Sequence, residues 1–559
     1  MVGIDLGTTN SLVAHFVDGR PEILLNDLDE GLTPSVVAVA QDGTLLVGRA
    51  AKDRLINAPE SGQAFFKRDM GTAVTYQFGG RRWTPVECSA VVLREMKRVA
   101  ELRLGHAVES AVITVPAYFL DQQRQATVEA AQIAGLKVER LLNEPTAAAL
   151  AYGHQENPDL STLLIFDLGG GTFDVTILEC FEGVVEVKSS AGESRLGGED
   201  YTDALEKWLR QKGEWKPEAI AALRWREMVE QVKRELSAGE TATIMIEGKE
   251  LTVSRADFVA ATRELTARLR PVVRRCLSDA GITPAHLDGV LLVGGASRMP
   301  LVVSSLTEDL LQEPSRTLDP DRVVALGAAV QAALIGRQAA VRDLVLTDVC
   351  PHTLGVAVTK QLAPGQMQEG YFSPLIDRNT TVPVSRSDLF HTLHPQQDEI
   401  LLQVYQGEGR MVKDNQKIGQ VRVTGLKTHA GQKQPGEIDV RFTYDMNGIL
   451  EVEVTILHSG KKVTEVFEQR PGTMSKEEIR EAIERLSPLK VHPRDTPPHR
   501  ARLERAERLY QDLRSVERSI LTSLIDQFER ALSTQESGHI RTAAAELDSF
   551  MSPYFRDDS

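Results

Sequence analysis

Two stretches of this chain are versions of one another. Ile4-Asp5-Leu6-Gly7-Thr8-Thr9-Asn10 runs into the apolar segment Leu12-Val13-Ala14, and Phe166-Asp167-Leu168-Gly169-Gly170-Gly171-Thr172 runs into Val175-Thr176-Ile177. Each copy reads strand, Asp-Leu-Gly, a turn of small residues, strand. Glycine lets backbone N–H groups approach phosphate oxygens with no Cβ in the way. The threonine hydroxyls add neutral donors, and an Asp at a strand end can hold Mg²⁺ through its water shell, because Mg²⁺ keeps most of its waters. One such loop alone is a tight hairpin. Two with matched flanks, facing each other, would grip a nucleotide's phosphates from both sides. Strands rather than helices follow the glycines, so this is neither a Walker A loop nor a GxGxxG turn. A third glycine pair, Gly294-Gly295 after Val290 to Val293, has the strand-Gly-Gly-helix form suited to a nucleoside lying against backbone.

The 559 residues allow about three or four domains at roughly 150 residues each. With 42% hydrophobic residues large cores can be buried, and a net charge of −15 argues against a general binder of nucleic acid or anionic membrane. Cys88, Cys180, Cys276 and Cys350 are too far apart for a CxxC pair or a zinc ribbon, which suits a reducing compartment. The first residues carry neither a basic nor a long apolar region, and no stretch of about 18 apolar residues occurs. A soluble, cytoplasmic protein is therefore expected.

Up to about residue 342, short apolar strands (Ala111 to Pro116, Leu163 to Phe166, Val290 to Val293) alternate with helical periodicity, the pattern of α/β architecture. One helix runs from Gln122 to Ala134 and stops at Gly135. Between 350 and about 470 the period becomes two. Ile438, Val440, Phe442 and Tyr444 face one way, Asn447-Gly448 supplies a turn, and Leu450, Val452, Val454 and Ile456 alternate against Glu451, Glu453 and Thr455. That predicts half-buried antiparallel sheets packed as a sandwich. The acid-bracketed apolar run Asp343 to Asp348 reads as a docking segment rather than a flexible linker. Beyond Met474 a capping box (Ser475, Glu478) and a proline-rich break (Pro493, Pro497, Pro498) precede one long amphipathic helix. Its stripe is Leu503, Ala506, Leu509, Leu513, Val516, Ile520, Leu524 and Phe528.

Beyond the two loops, VPAYF (115–119), NEPTAAALAYG (143–153), LGGED (196–200), LVGGASRMP (292–300), GAAVQAAL (327–334), RNTTVP (378–383) and VYQGE (404–408) stand out. Together these stretches resemble the DnaK-type chaperones, the seventy-kilodalton heat-shock family of the actin and sugar-kinase superfamily, over residues 1 to about 470. The resemblance implies a two-lobed, actin-like α/β ATPase domain (1–342), a linker (343–349), an antiparallel β-sandwich that binds peptide (350–472) and a short α-helical lid (473–559). The implied activity is slow ATP hydrolysis that controls affinity for extended hydrophobic polypeptide segments, with ATP/ADP and Mg²⁺ as cofactors.

By resemblance, Gly7, Thr8, Thr9, Asn10 and Gly169, Gly170, Gly171 and Thr172 hold the phosphates, with Gly197 and Gly198 beside them. Asp5 and Asp167 order Mg²⁺ and its waters. Lys67 meets the γ-phosphate, and Glu144 and Asp174 order water and metal around it; Asp167 and Thr172 join these three as the catalytic set. From position alone Lys67 is a surface lysine. Glu230, Lys233, Arg234 and Ser237, at helical spacing, line the adenosine opposite Gly294, Gly295 and Arg298; from spacing alone the quartet is a solvated ion-pair face. Leu354, Val356, Phe390, Ile400 and Leu402 match the peptide pocket, where ordinary core packing also accounts for part of the set. Allostery runs through Pro116 and Arg124 to the linker and its Leu344. Arg140, Asn143 and Asp348 match places where J-domain cochaperones act.

The chain departs from the general type between Ser237 and Asp257, where it is much shorter, which leaves a nucleotide exchange factor uncertain. Thr347 stands where the family usually has leucine, Thr359 and Leu393 where an arch crosses the peptide, and the tail after Met474 is short. These departures resemble the specialised bacterial HscC type. A small-molecule kinase and an actin-like filament protein use the same clamp, but neither needs a sandwich and helical tail after an apolar linker.

Overall fold

The computed structural model describes residues 1–40, 45–156, 160–181, 184–212, 222–246, 249–315, 319–338, 341, 345–363, 366–426, 436–445, 448–467, isolated positions from 502 to 513, 515–534 and 537–554. Strands Val2–Asp5 and Asn10–Val17 form a hairpin with Asp5 opposite Leu12. Val2–Asp5 then pairs in parallel with Ser110–Val115, and that strand with Lys137–Asn143. The second copy repeats the plan. Leu160–Leu168 and Phe173–Phe181 form a hairpin with Asp167 opposite Asp174, and Leu160–Leu168 pairs in parallel with Gly289–Val293. The repeat in sequence is thus a repeat in topology, and each six-stranded sheet delivers its Asp-Leu-Gly turn at the end of an interior strand. These strands are apolar on both faces because helices cover both.

Two helices made largely of small residues, Glu144–Glu156 and Val323–Ile335, belong to one apolar cluster with Val112 of the first sheet and Leu163 and Ile165 of the second. A Cβ at Gly327 would lie 1.7 Å from the Ala147 carbonyl oxygen, so this crossing tolerates no side chain at that position. The alanine-rich motifs of both helices are the price of that approach.

Val345–Val349 adds to the second sheet as a strand parallel to Val184–Glu193, and pairs with Thr381–Val382 on its other side. Leu344 lies outside the described residues. Two four-stranded antiparallel sheets follow. Their facing residues, among them Val356, Val404, Val440, Phe442, Val452 and Val454, form a closed apolar core. The half-buried alternation is corrected at Glu451 and Glu453, which are buried too. Glu451 sits between Thr443 and Val466 in register, and Glu453 meets Lys462 at 3.2 Å, so cross-strand neighbours shield what a single strand's pattern leaves in water.

The sandwich is fastened to the second lobe. Arg378 Nε and Nη2 donate to the two carboxylate oxygens of Asp279 at 2.9 and 2.8 Å, Asn379 Nδ2 donates to Asp279 at 3.0 Å, and Asn379 Oδ1 accepts from the Ser190 N–H at 2.9 Å. Replacing Arg378 by Gln removes a partly exposed two-pronged pair. Docking is expected to weaken about fivefold, read as the loss of energy transfer between dyes on the sandwich and the second lobe.

The capping box and the proline break lie outside the described residues, as does the Val516 side chain. The single long helix is corrected: the chain bends at Leu513, and separate helices Ser515–Thr534 and Ser537–Met551 pack as a pair. After the bend Phe528 stays buried and Leu524 packs against the core, but Ile520 is 47% exposed and Leu521 beside it is fully buried.

Candidate functional site

The two Asp-Leu-Gly tips meet. A Cβ at Gly170 would lie 2.2 Å from Thr9 Oγ1, and one at Gly171 3.0 Å from Thr8 Oγ1. The first tip is pinned by Ser35, whose N–H donates to the Thr9 carbonyl at 2.9 Å and whose hydroxyl donates to the Gly7 carbonyl at 2.8 Å. Asn10 opens the return strand. The second tip closes on itself through the Gly169 N–H to the Thr172 carbonyl at 3.1 Å. It is also held by the start of helix Gly198–Lys212, where the Gly198 and Glu199 N–H groups donate to the Gly169 and Gly170 carbonyls, each at 2.9 Å. Gly197 lies so close that its Cβ would be 2.6 Å from Gly170 backbone. Gly294, at φ +78°, packs equally tightly on the Leu168 carbonyl.

Beneath the tips lie Glu144, Asp167 and Asp174, all buried, and a half-buried Asp5, with Lys67 among them. Lys67 is 3% exposed and donates to Glu144 Oε1 at 2.8 Å, so its expected surface position is overturned. Residue Phe65, at φ +59°, turns the chain into a 3-10 helix (Phe66–Asp69) that sends Lys67 inward. Burial first, and then Glu144, push the Asp5 carboxyl up to about 7 and that of Asp174 to about 8; the same causes raise Asp167. Asp5 accepts from Thr114 Oγ1 at 3.0 Å, and Asp174 from the Tyr118 N–H at 3.2 Å. Such a surplus of hard, buried oxygens over a single amine fits Mg²⁺. Among the described residues no three His, Cys, Asp or Glu side chains are placed to ligate one ion. The donor set therefore suits an ion held through water and phosphate rather than by a protein cage.

A cavity of about 500 Å³ opens beside Thr8, Thr9 and Asn10, and Glu230 and Arg234 line its far wall. The quartet on helix Ala222–Ala238 is not a solvated face. Lys233 is 6% exposed and donates to the Gly198 carbonyl and Thr202 Oγ1, both at 2.8 Å, while pairing with Glu230 at 2.6 Å. Arg234 remains exposed on Glu230 at 3.0 Å, and the Ser237 hydroxyl donates to the Lys233 carbonyl at 3.0 Å. Arg298 is turned onto Asp319 and Asp321, away from the quartet.

A polar relay leads from this cluster to the sandwich. Pro116 ends its strand and accepts from the Phe119 N–H at 3.1 Å. Arg124 Nη2 donates to the Ala117 carbonyl at 3.0 Å and to Asn143 Oδ1 at 2.6 Å. Asn143, next to Glu144, donates to both Asp348 oxygens at 3.0 Å. Arg140 lies beside them with only Nη1 engaged, on Gln331 at 3.2 Å; among the described residues its Nε and Nη2 find no acceptor. Leu354, Val356 and Leu402 are buried in the sandwich core, with Phe390 and Ile400 half-buried against it.

Arg68, Tyr118, Asp200, Thr202, Asp279 and His352 were not singled out from the sequence. Only Arg68, Tyr118 and Asp200 carried a signal, Arg68 as the neighbour of Lys67 and the other two within VPAYF and LGGED. The family model described as "Hsp70 protein" matches residues 1–554. The chain is also similar to the chaperone protein DnaK of Thermotoga petrophila and that of Thermotoga maritima. Each is 40% identical over 87% of this chain and 83% of the relative.

Proposed function

Because the chain belongs to the Hsp70 family, we propose that the paired tips are the seat of its ATP. The protein is an ATP-dependent molecular chaperone that binds hydrophobic peptide segments, and an ATPase. The contact between the Gly170–Gly171 tip and Thr8–Thr9 carries the assignment of the site. In this scheme Thr8, Thr9 and residues 169–172 bind the phosphates, and Glu230 and Lys233 position the adenosine. Magnesium supplies positive charge against the phosphates, with Asp5 and Asp167 orienting its waters. Lys67 orients the γ-phosphate, while Glu144 and Asp174 fix the attacking water. In this scheme every carboxylate of the cluster has another task, Asp5 and Asp167 with the waters of magnesium, Glu144 with Lys67 and Asp174 with the Tyr118 amide, so none is assigned as general base. Hydrolysis by positioning and electrostatics alone is slow, which suits a timer.

The domains proposed are 1–342, 343–349, 350–472 and 473–559. Partners of the same scheme are extended apolar polypeptides in the sandwich, around Phe390 and Ile400, and a J-domain cochaperone at Arg140, Asn143 and Asp348. The short hairpin Thr241–Ile246 with Lys249–Ser254 supports the HscC type, with the exchange factor open. A cytoplasmic setting belongs to the same proposal; no helix among the described residues is long and apolar enough to cross a membrane.

Steady-state ATPase with and without an extended apolar peptide tests the coupling: peptide is expected to stimulate, and phosphate transferred to a sugar would sink it. Thr172→Ala is expected to slow hydrolysis at least about tenfold by removing one hydroxyl from the phosphate tip, with ATP binding kept in equilibrium titration. Loss of binding together with unfolding would overturn that role.

A further inference from the structure

The 3-10 turn Phe66–Asp69 advances about 120° per residue, so successive side chains leave it in different directions. Phe66 enters the core, Lys67 enters the carboxylate cluster, and Asp69 accepts from the Tyr76 hydroxyl at 2.8 Å. Arg68 crosses to the second lobe, where Nη2 donates to both oxygens of Asp200 at 3.0 and 3.1 Å. Its Cγ lies 3.0 Å from where a Gly171 Cβ would be, so the side chain passes over the second phosphate tip on the way. Asp200 Oδ2 also accepts from the Gly197 N–H at 2.8 Å, and the next two N–H groups hold the Gly169 and Gly170 carbonyls. One continuous set of bonds therefore ties the turn that carries Lys67 to the backbone of the second tip.

We propose that Arg68 and Asp200 form a positioning clasp for hydrolysis. It fixes the depth of Lys67 relative to the second tip only when the lobes are closed. Neither residue is required for holding the nucleotide, since the backbone amides and threonines of both tips do that. This rests on the nucleotide assignment above. A misplacement of about 1 Å in such a site costs on the order of a hundredfold in rate, so loss of the clasp acts on kcat and leaves affinity nearly intact.

The test is single-turnover ATP hydrolysis and equilibrium ATP binding by the full chain, as wild type, R68Q, R68K, D200N and R68Q/D200N. Asparagine can keep its oxygen on the Gly197 amide, while its NH2 group replaces the carboxylate oxygen facing Arg68, so both the charge and one acceptor of the pair are lost. R68Q and D200N are each expected to slow hydrolysis at least about tenfold, with Kd changed by less than about threefold. The double variant should be no slower than the slower single, because both remove one interaction. R68K, which keeps the charge but not the planar fork, should recover part of the rate; if R68Q does not fold, R68K and D200N carry the comparison. Rates within about threefold of wild type, losses that multiply in the double variant, or a rise in Kd matching the fall in rate would overturn the clasp. A wild-type chain with no ATPase at all would instead overturn the nucleotide assignment.

Discussion

Lys67→Met should slow single-turnover ATP hydrolysis by about two to three orders of magnitude, the range seen when one preorganised donor is removed from a reacting oxyanion. Methionine keeps the length of the side chain and its contact with Phe119, whose ring lies 5.5 Å from the amine. What disappears is the amine set among Asp5, Glu144, Asp167 and Asp174. The same change leaves Glu144 buried without its partner, a defect that costs roughly 3–5 kcal/mol when a buried pair is broken from one side. Stability and rate must therefore be separated. Lys67→Met with Glu144→Gln removes both charges and is expected to regain most of the lost melting temperature while remaining as slow as the single variant. Measuring both by thermal unfolding and rapid quench decides the matter. Hydrolysis by Lys67→Met within about threefold of wild type would remove Lys67 from the reaction, whatever happened to stability.

The meeting of the tips was legible because a strand-turn-strand unit repeated with its flanks carries its own topology. Asp5 and Asp167 lie at the ends of interior strands of two sheets whose neighbours pair alike. The sandwich was legible from the alternation of Ile438 to Tyr444 and Leu450 to Ile456, since period two admits only one face to a core. What escaped was decided between elements far apart in the chain. Lys233 has the spacing of a solvated pair, and only the approach of Gly198 and Thr202 from another helix makes it a buried cation. Glu451 looks outward on its strand, yet it is covered. After the bend at Leu513 the core takes Leu521 in place of Ile520, a local exchange that a stripe of threes and fours absorbs without notice. Nothing local to Arg68 announces that Asp200 waits across the cleft.

Acidification should undock the sandwich from the ATPase lobes, and His352 should be the cause. Its ring lies 4.3 Å from that of Tyr118, edge to face, and Nε2 sits 3.3 Å from the Tyr118 carbonyl. Tyr118 is the residue whose amide holds Asp174, so this histidine touches the nucleotide cluster at one remove. Glu408, Arg124 and Arg275 also face it; burial dominates and pushes its pKa down to about 4 from the ordinary 6.5. A released imidazole regains the ordinary value, so protonation is taken up by the undocked form. Docking is thus at full strength above about pH 6.5 and weakens tenfold per unit as the pH falls from there towards 4. Between pH 7.5 and 5 the docking equilibrium is expected to fall roughly 25-fold, read by energy transfer between the two domains in the presence of ATP. Asp348 works in the opposite sense, since burial raises its carboxyl in the docked state and proton uptake there favours docking. Subtracting the profile of His352→Gln isolates the histidine, because the amide retains a donor for the Tyr118 carbonyl and cannot charge. A wild-type profile that stays flat from pH 7.5 to 5, or one unchanged in His352→Gln, would show that this ring does not govern the contact.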